Sequence, residues 1–181
     1  MYNKNWTIFL DRDGVINKKI INNYVKSYNE FVYIKKSLKG IAILSSIFSR
    51  IIIVTNQRGV GKGLFTENQL LLIHKKMIKN INKNFGRICK IYYCIDISDR
   101  SKFRKPNIGM GLDAKRDFPE IDFNKSLIIG DSLSDMNFGK KLGMQCFYIN
   151  NTNSYKKNYN YDLKFKSLYD SALYLKKNFI V

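Results

Sequence analysis

The chain lacks most of what would mark a membrane, secreted or disulfide-framed protein. No apolar run in its 181 residues approaches the ~20 that a membrane-spanning helix needs. The N-terminus has no basic stretch followed by a long apolar one, so no signal peptide is expected. Cysteine is scarce and odd in number (Cys89, Cys94, Cys146), which argues against a disulfide framework and for a reducing, cytoplasmic setting. The single histidine, His74, falls inside a helical pattern with nothing nearby to complete a triad or a metal set, and reads as structural or surface. Gly59, Gly61 and Gly63 are not followed by the Gly-Lys-Ser/Thr ending of a P-loop, so they read as a flexible loop. With no internal repeat and no linker, residues 1–181 suit one domain and one core. A monomer is expected.

Acidic residues are few: 14 against 32 basic ones, for a net charge of +18. Such a balance attracts anions, whether a phosphorylated small molecule or a nucleic acid. Lysine outnumbers arginine 25 to 7, however, and isoleucine (24) and asparagine (20) are abundant too, the profile of a coding bias. The basic residues form no Arg-rich, aromatic-interleaved stripe. A small phosphorylated substrate is therefore favoured over nucleic acid.

Apolar, β-rich runs cover 6–10, 50–54, 90–95, 126–130 and 145–149. Their near-continuous apolar character marks strands buried on both faces, as in a parallel sheet. Helical patterns lie between and after them, near 37–48, 66–84, 108–117, 133–142 and 167–177. The second opens on Thr66-Glu67-Asn68-Gln69, a capping box. The alternation predicts a doubly wound α/β fold. The Asn-, Tyr- and Lys-rich stretch 150–166 reads as a surface excursion.

Four polar groups sit at or just after element ends: Asp11-Arg12-Asp13-Gly14, Thr55-Asn56-Gln57-Arg58, Arg104-Lys105-Pro106 and Gly130-Asp131-Ser132-Leu133-Ser134-Asp135. Ligands of open α/β sheets bind outside the carboxyl ends of the strands. The alternation of a strand sends Asp11 and Asp13 into one space and Arg12 away from it. The set suits phosphoryl transfer. Asp11 is a candidate nucleophile, and Asp13 can protonate the leaving oxygen and then activate water. Attack by one anion on another is opposed by about 4 kcal/mol for unit charges ~4 Å apart at an effective dielectric of 20. Mg²⁺ on the hard oxygens of Asp11 and Asp131 would offset it, with Lys105 adding charge and Thr55 a neutral donor. Asp135 is expected to orient Lys105 or the metal's waters.

Four segments, Phe9–Asn17, Val54–Gly63, Arg104–Met110 and Ile129–Met136, resemble the haloacid dehalogenase superfamily of phosphohydrolases. Within it they are most similar to the branch of D-glycero-D-manno-heptose 1,7-bisphosphate 7-phosphatases and histidinol-phosphatases. The similarity spans about residues 5–150. It implies a Rossmann-like sheet with the first strand central, Asp11 as nucleophile and Asp13 as acid/base. It also implies Mg²⁺ on the Asp11 carboxylate, the Asp13 main-chain carbonyl and Asp131, with Thr55 and Lys105 on the phosphoryl group. Asn56, Gln57, Arg58, Arg104 and Ser132 match substrate-contacting positions, and Asn17 and Tyr24 lie in the loop that shapes substrate access. The 44 residues from Asp11 to Thr55 and the 50 from Thr55 to Lys105 leave little room for a cap domain. Histidinol phosphate and a polynucleotide 3′-phosphate remain alternative substrates. One departure is clear. Many branch members carry a Cys-x-His…Cys-x-Cys zinc loop. Here Asp96 replaces the histidine and Ser101 and Phe103 the paired cysteines, leaving Cys94 alone, so no zinc is expected.

Overall fold

The computed structural model describes residues 1–150 and 159–180. Six strands form one all-parallel sheet in the order β3-β2-β1-β4-β5-β6. These are β1 (Thr7–Leu10), β2 (Arg50–Asn56), β3 (Lys90–Cys94), β4 (Ser126–Gly130), β5 (Gln145–Ile149) and β6 (Leu163–Phe165). The strand that carries the aspartate pair is central, paired in register with β2 (Thr7 to Arg50) and β4 (Thr7 to Ser126).

Both faces of the sheet are covered, as the unbroken apolar runs require. Ile8, Leu10, Ile51, Ile53, Leu127 and Ile129 point to one side. There they meet α1 (Ser37–Ile47), α3 (Glu67–Lys83) and α6 (Leu168–Lys177). Phe9, Ile52, Val54 and Ile128 point to the other, against α4 (Gly109–Asp117) and α5 (Leu133–Leu142). The period of two along each strand thus sorts one continuous apolar run into two cores. The capping box of α3 forms as expected: the Gln69 amide donates to Thr66 Oγ1 at 3.2 Å, and the Thr66 amide to Gln69 Oε1 at 2.7 Å.

Two expectations need correction. Residues 58–61 are not a loose loop but a short helix, α2 (Arg58–Gly61). A Cβ on Gly59 would fall 2.6 Å from the Phe65 ring, and one on Gly61 2.2 Å from the Ile95 carbonyl. These glycines permit close packing; they do not confer mobility. The stretch 150–166 is also more than a surface excursion, since it contains β6; its residues 151–158 lie outside the described residues. No helix among the described residues is long and apolar enough to cross a membrane.

Candidate active site

The chain leaves β1 at Asp11, whose amide still donates to the Ile129 carbonyl at 3.0 Å. Gly14 then turns with φ +97°, where a Cβ would lie 2.1 Å from the Asp131 carboxylate. Only glycine fits, for both backbone and steric reasons. The parallel pairing of β1 with β4 (Leu10 opposite Ile129) brings Asp11 and Asp131, 120 positions apart, to one sheet end. Asp11, Asp131 and Asp135 offer oxygens all within 4.8 Å of one another.

Lys105 sits at the heart of this cluster, 3% exposed. Its ammonium donates to Asp11 Oδ1 (2.9 Å), Asp135 Oδ1 (2.6 Å) and the Val54 carbonyl (2.7 Å). Burial alone would lower its pKa, but the two carboxylates more than offset this and raise it. Asn56 holds the Lys105 backbone at both ends, accepting from its amide and donating to its carbonyl, each at 3.0 Å. Ser132 caps α5 and secures Asp135: its amide (3.0 Å) and hydroxyl (2.5 Å) both donate to Asp135 Oδ2.

Burial pushes the Asp11 carboxyl up to about 7; Lys105 opposes that rise and Asp135 and Asp131 add to it. Asp131 is raised by burial and by Asp135, against the pull of Lys19. Its Oδ1 is buried without a hydrogen-bond partner, and its Oδ2 accepts from Lys19 at 3.3 Å. Two carboxylates pushed toward neutrality, one with an orphaned oxygen, form a donor set that fits a small, hard divalent cation.

Asp13 is in the opposite state. Burial would raise its pKa, but Arg12, Asn17 and Gln57 together hold it below the usual carboxylate range. Asn17 donates to Oδ1 at 2.7 Å, and Gln57 to Oδ2 at 2.8 Å. The Gln57 amide also donates to Thr55 Oγ1 at 2.9 Å, so the Thr55 hydroxyl proton is free for another acceptor.

A cavity of about 250 Å³ opens above these groups. Of the residues singled out in the sequence, Asp11, Asp13, Tyr24, Thr55, Asn56, Gln57, Arg58, Arg104, Lys105, Ser132 and Asp135 line it. Asp131 lines a neighbouring cavity instead. Asn17 is fully buried and meets the site through Asp13. Arg12 does not line the cavity, yet it does not reach solvent either: it is fully buried against Asp13. The expected alternation holds for the cavity, which Asp11 and Asp13 enter and Arg12 does not.

Sequence reasoning missed three contributors. Lys19 lines the cavity and pairs with Asp131. Asp99 ties Arg58 and Arg104 together, at 3.0 Å from Arg104 Nε. His74 bonds Arg12. The Arg58–Asp99, Arg12–His74 and Lys19–Asp131 partners lie 41, 62 and 112 positions apart and carry no local signal.

A buried carboxylate beside a cluster of acidic oxygens, with a second carboxylate two residues on, suits a haloacid dehalogenase-like phosphatase, and this chain is an enzyme of that class. Residues 7–172 match the family model for polynucleotide kinase 3 phosphatase, and the chain belongs to that family. It is 33% identical over 178 residues to a D-glycero-alpha-D-manno-heptose-1,7-bisphosphate 7-phosphatase of Campylobacter jejuni, covering 96% of this chain and 98% of the relative. A protein of the same description from Mycobacterium bovis is 34% identical over 132 residues, 72% of this chain and 70% of that one. Among solved structures, the D,D-heptose 1,7-bisphosphate phosphatase of B. bronchiseptica, complexed with magnesium and phosphate, superposes with a TM-score of 0.82. It is 26% identical and covers 95% of this chain and 99% of that chain.

Proposed function

We propose that this chain is a Mg²⁺-dependent phosphomonoesterase acting on a small sugar phosphate, by default D-glycero-D-manno-heptose 1,7-bisphosphate, as a one-domain, cytoplasmic monomer. The observation that carries this reading is the Asp11 carboxylate, buried at the end of the central strand between Lys105 and the Asp131–Asp135 pair. Relatives of that description along nearly the full chain support the substrate.

In the mechanism this geometry supports, Asp11 and Asp131 would hold Mg²⁺, with the Asp13 main-chain carbonyl as the further ligand that the resemblance implies. When bound, the metal supplies positive charge against the aspartates and the phosphoryl oxygens. An Asp11 oxygen attacks phosphorus and the ester P–O bond breaks. Asp13 delivers a proton to the leaving oxygen, and the phosphoryl group rests on Asp11 as an acyl phosphate. Asp13, now a carboxylate, takes a proton from water as that water attacks phosphorus; phosphate leaves and Asp11 is restored. In the free enzyme Asp13 is held ionised. The dianionic phosphoryl group entering beside it favours its protonated form, which the first step needs. Thr55 and Lys105 hold the phosphoryl oxygens. Asn56 and Gln57 orient them, and Tyr24, Arg58, Arg104 and Ser132 face the rest of the substrate. Asn17 acts through Asp13, and Asp135 through Lys105.

The loop after β3 is proposed to need no zinc. Cys94 Sγ lies 3.8 Å from Ser101 Oγ, which donates to Asp96, and Asn107 donates to the carbonyls of Asp99 (3.1 Å) and Ser101 (2.8 Å). One thiol and one carboxylate joined through a hydroxyl do not make a zinc site.

The test is a phosphatase assay of the purified chain and its Asp11→Asn variant. The panel holds the heptose bisphosphate, histidinol phosphate, a 3′-phosphorylated oligonucleotide and an aryl phosphate. Wild type is expected to prefer the heptose, to lose activity in EDTA, to regain it with Mg²⁺, and to contain no stoichiometric zinc. The variant is expected to fold and be inactive, since an amide cannot attack phosphorus. Activity in Asp11→Asn overturns the nucleophile assignment, and preference for the oligonucleotide overturns the substrate.

A further inference from the structure

Arg12 is a fully buried guanidinium with no route to water. Its Nε (3.2 Å) and Nη2 (2.8 Å) grip Asp13 Oδ2, and Nη2 also reaches Asp13 Oδ1 (3.1 Å) and Gln57 Oε1 (3.1 Å). Its remaining arm, Nη1, lies 3.2 Å from His74 Nε2. The Phe31 ring stands 5.9 Å from the guanidinium carbon. A planar fork held only along its Asp13 edge can still pivot about that edge. A partner at the opposite arm stops the pivot.

We propose that His74 is a positioning residue for the phosphatase reaction: through Arg12 it fixes the carboxylate of Asp13 where a leaving oxygen can take its proton. The inference rests on the reading of Asp13 as general acid. His74 is suited to the task because α3 is itself anchored. Leu70, Ile73 and Met77 of that helix are buried, and the ring of His74 meets Tyr93 of β3 edge-on, 5.6 Å between centroids. An arginine only donates, so the ring must present a bare Nε2 and carry its proton on Nδ1. Burial, helped by Arg12 and opposed by Asp13, lowers the His74 pKa to about 3, which keeps the ring an acceptor at any working pH. Arg12 passes the constraint on twice. It orients Asp13 directly, and it accepts no choice in Gln57: with Oε1 taken by Arg12, the Gln57 NH₂ must face Asp13 and Thr55.

General acid catalysis matters only when the leaving group needs a proton. A nitrophenolate departs as a stable anion, whereas an alkoxide does not. The readout is therefore the ratio of kcat/KM for an alkyl phosphate to that for p-nitrophenyl phosphate, both on the Mg²⁺-loaded enzyme. This ratio is independent of the fraction of protein correctly folded. His74→Leu is expected to lower it at least about tenfold. His74→Gln, whose side-chain oxygen can accept from Arg12, is expected to restore most of it. His74→Met serves in place of the leucine variant should that one be insoluble. A ratio unchanged in the leucine or methionine variant, or equally low in the glutamine variant, overturns the proposal and leaves His74 as packing. Asp13→Asn separates this failure from that of the underlying reading: if Asp13→Asn also keeps the wild-type ratio, the general-acid assignment itself is wrong.

Discussion

At the scale of single residues, the site is built from groups that neighbours hold in unlike states. Asp11 and Asp131 are driven toward neutrality, while Asp13 is driven toward ionisation. Burial raises all three; around Asp13 the guanidinium of Arg12 and the amides of Asn17 and Gln57 outweigh it, whereas for Asp11 and Asp131 neighbouring carboxylates add to the rise and the opposing lysines, Lys105 and Lys19, do not cancel it. His74 extends the contrast into stability. Its folded-state value, about 3, lies below the ordinary imidazole value near 6.5. Between these pH values the unfolded chain binds a proton that the native one refuses. Its contribution is thus fully present above about pH 6.5 and is lost as pH falls toward 3, by up to ~1.4 kcal/mol per unit. In thermal melts from pH 7.5 to 4.5, the gap between wild type and His74→Gln is expected to close as pH falls. A gap constant with pH would contradict the buried neutral imidazole.

At the scale of elements, function depends on how helices begin. Ser132 both caps α5 and bonds the carboxylate that grips Lys105. Ser132→Ala is expected to cost about 1 kcal/mol, seen as a melting temperature lower by roughly 2–4 °C. It should also reduce kcat by more than that loss of stability explains, because Asp135 and then Lys105 lose their fixed positions. Equal losses in kcat and in folded fraction would refute the coupling. This is also the scale at which the sequence was easiest to read. Five strands and five helices follow from apolar runs and 3.6-residue periodicity, and the four polar groups fall at their ends. What escaped was short or long-range. The three residues of β6 and the four of α2 are too few to show a period. The Asp99 clamp and the Arg12–His74 bond join positions that only the fold brings together. Strand parity places Asp11 and Asp13 in the cavity and Arg12 outside it, but it carries no sign that Arg12 is buried against Asp13.

At the scale of the whole molecule, the chain carries a net charge of +18 while the core of its site is acidic. A surplus of that size attracts phosphorylated anions at long range, and salt screens it. Raising ionic strength from 50 to 300 mM is expected to increase KM for a small sugar phosphate several-fold and to leave kcat nearly unchanged. A loss of binding by orders of magnitude over that range is the response of a polyanion-binding surface instead, and would redirect the assignment toward nucleic acid.

The position of β1 has a kinetic corollary. β1, the first of the six strands in chain order, lies in the middle of the sheet, and its partner β4 is made only after β2 and β3. Its row of amides and carbonyls must wait, half-matched, through much of translation. Enzymatic turnover should consequently appear in a single late step of refolding, trailing the recovery of helical signal, and C-terminal truncations ending before Ser126 should yield inert, aggregation-prone fragments.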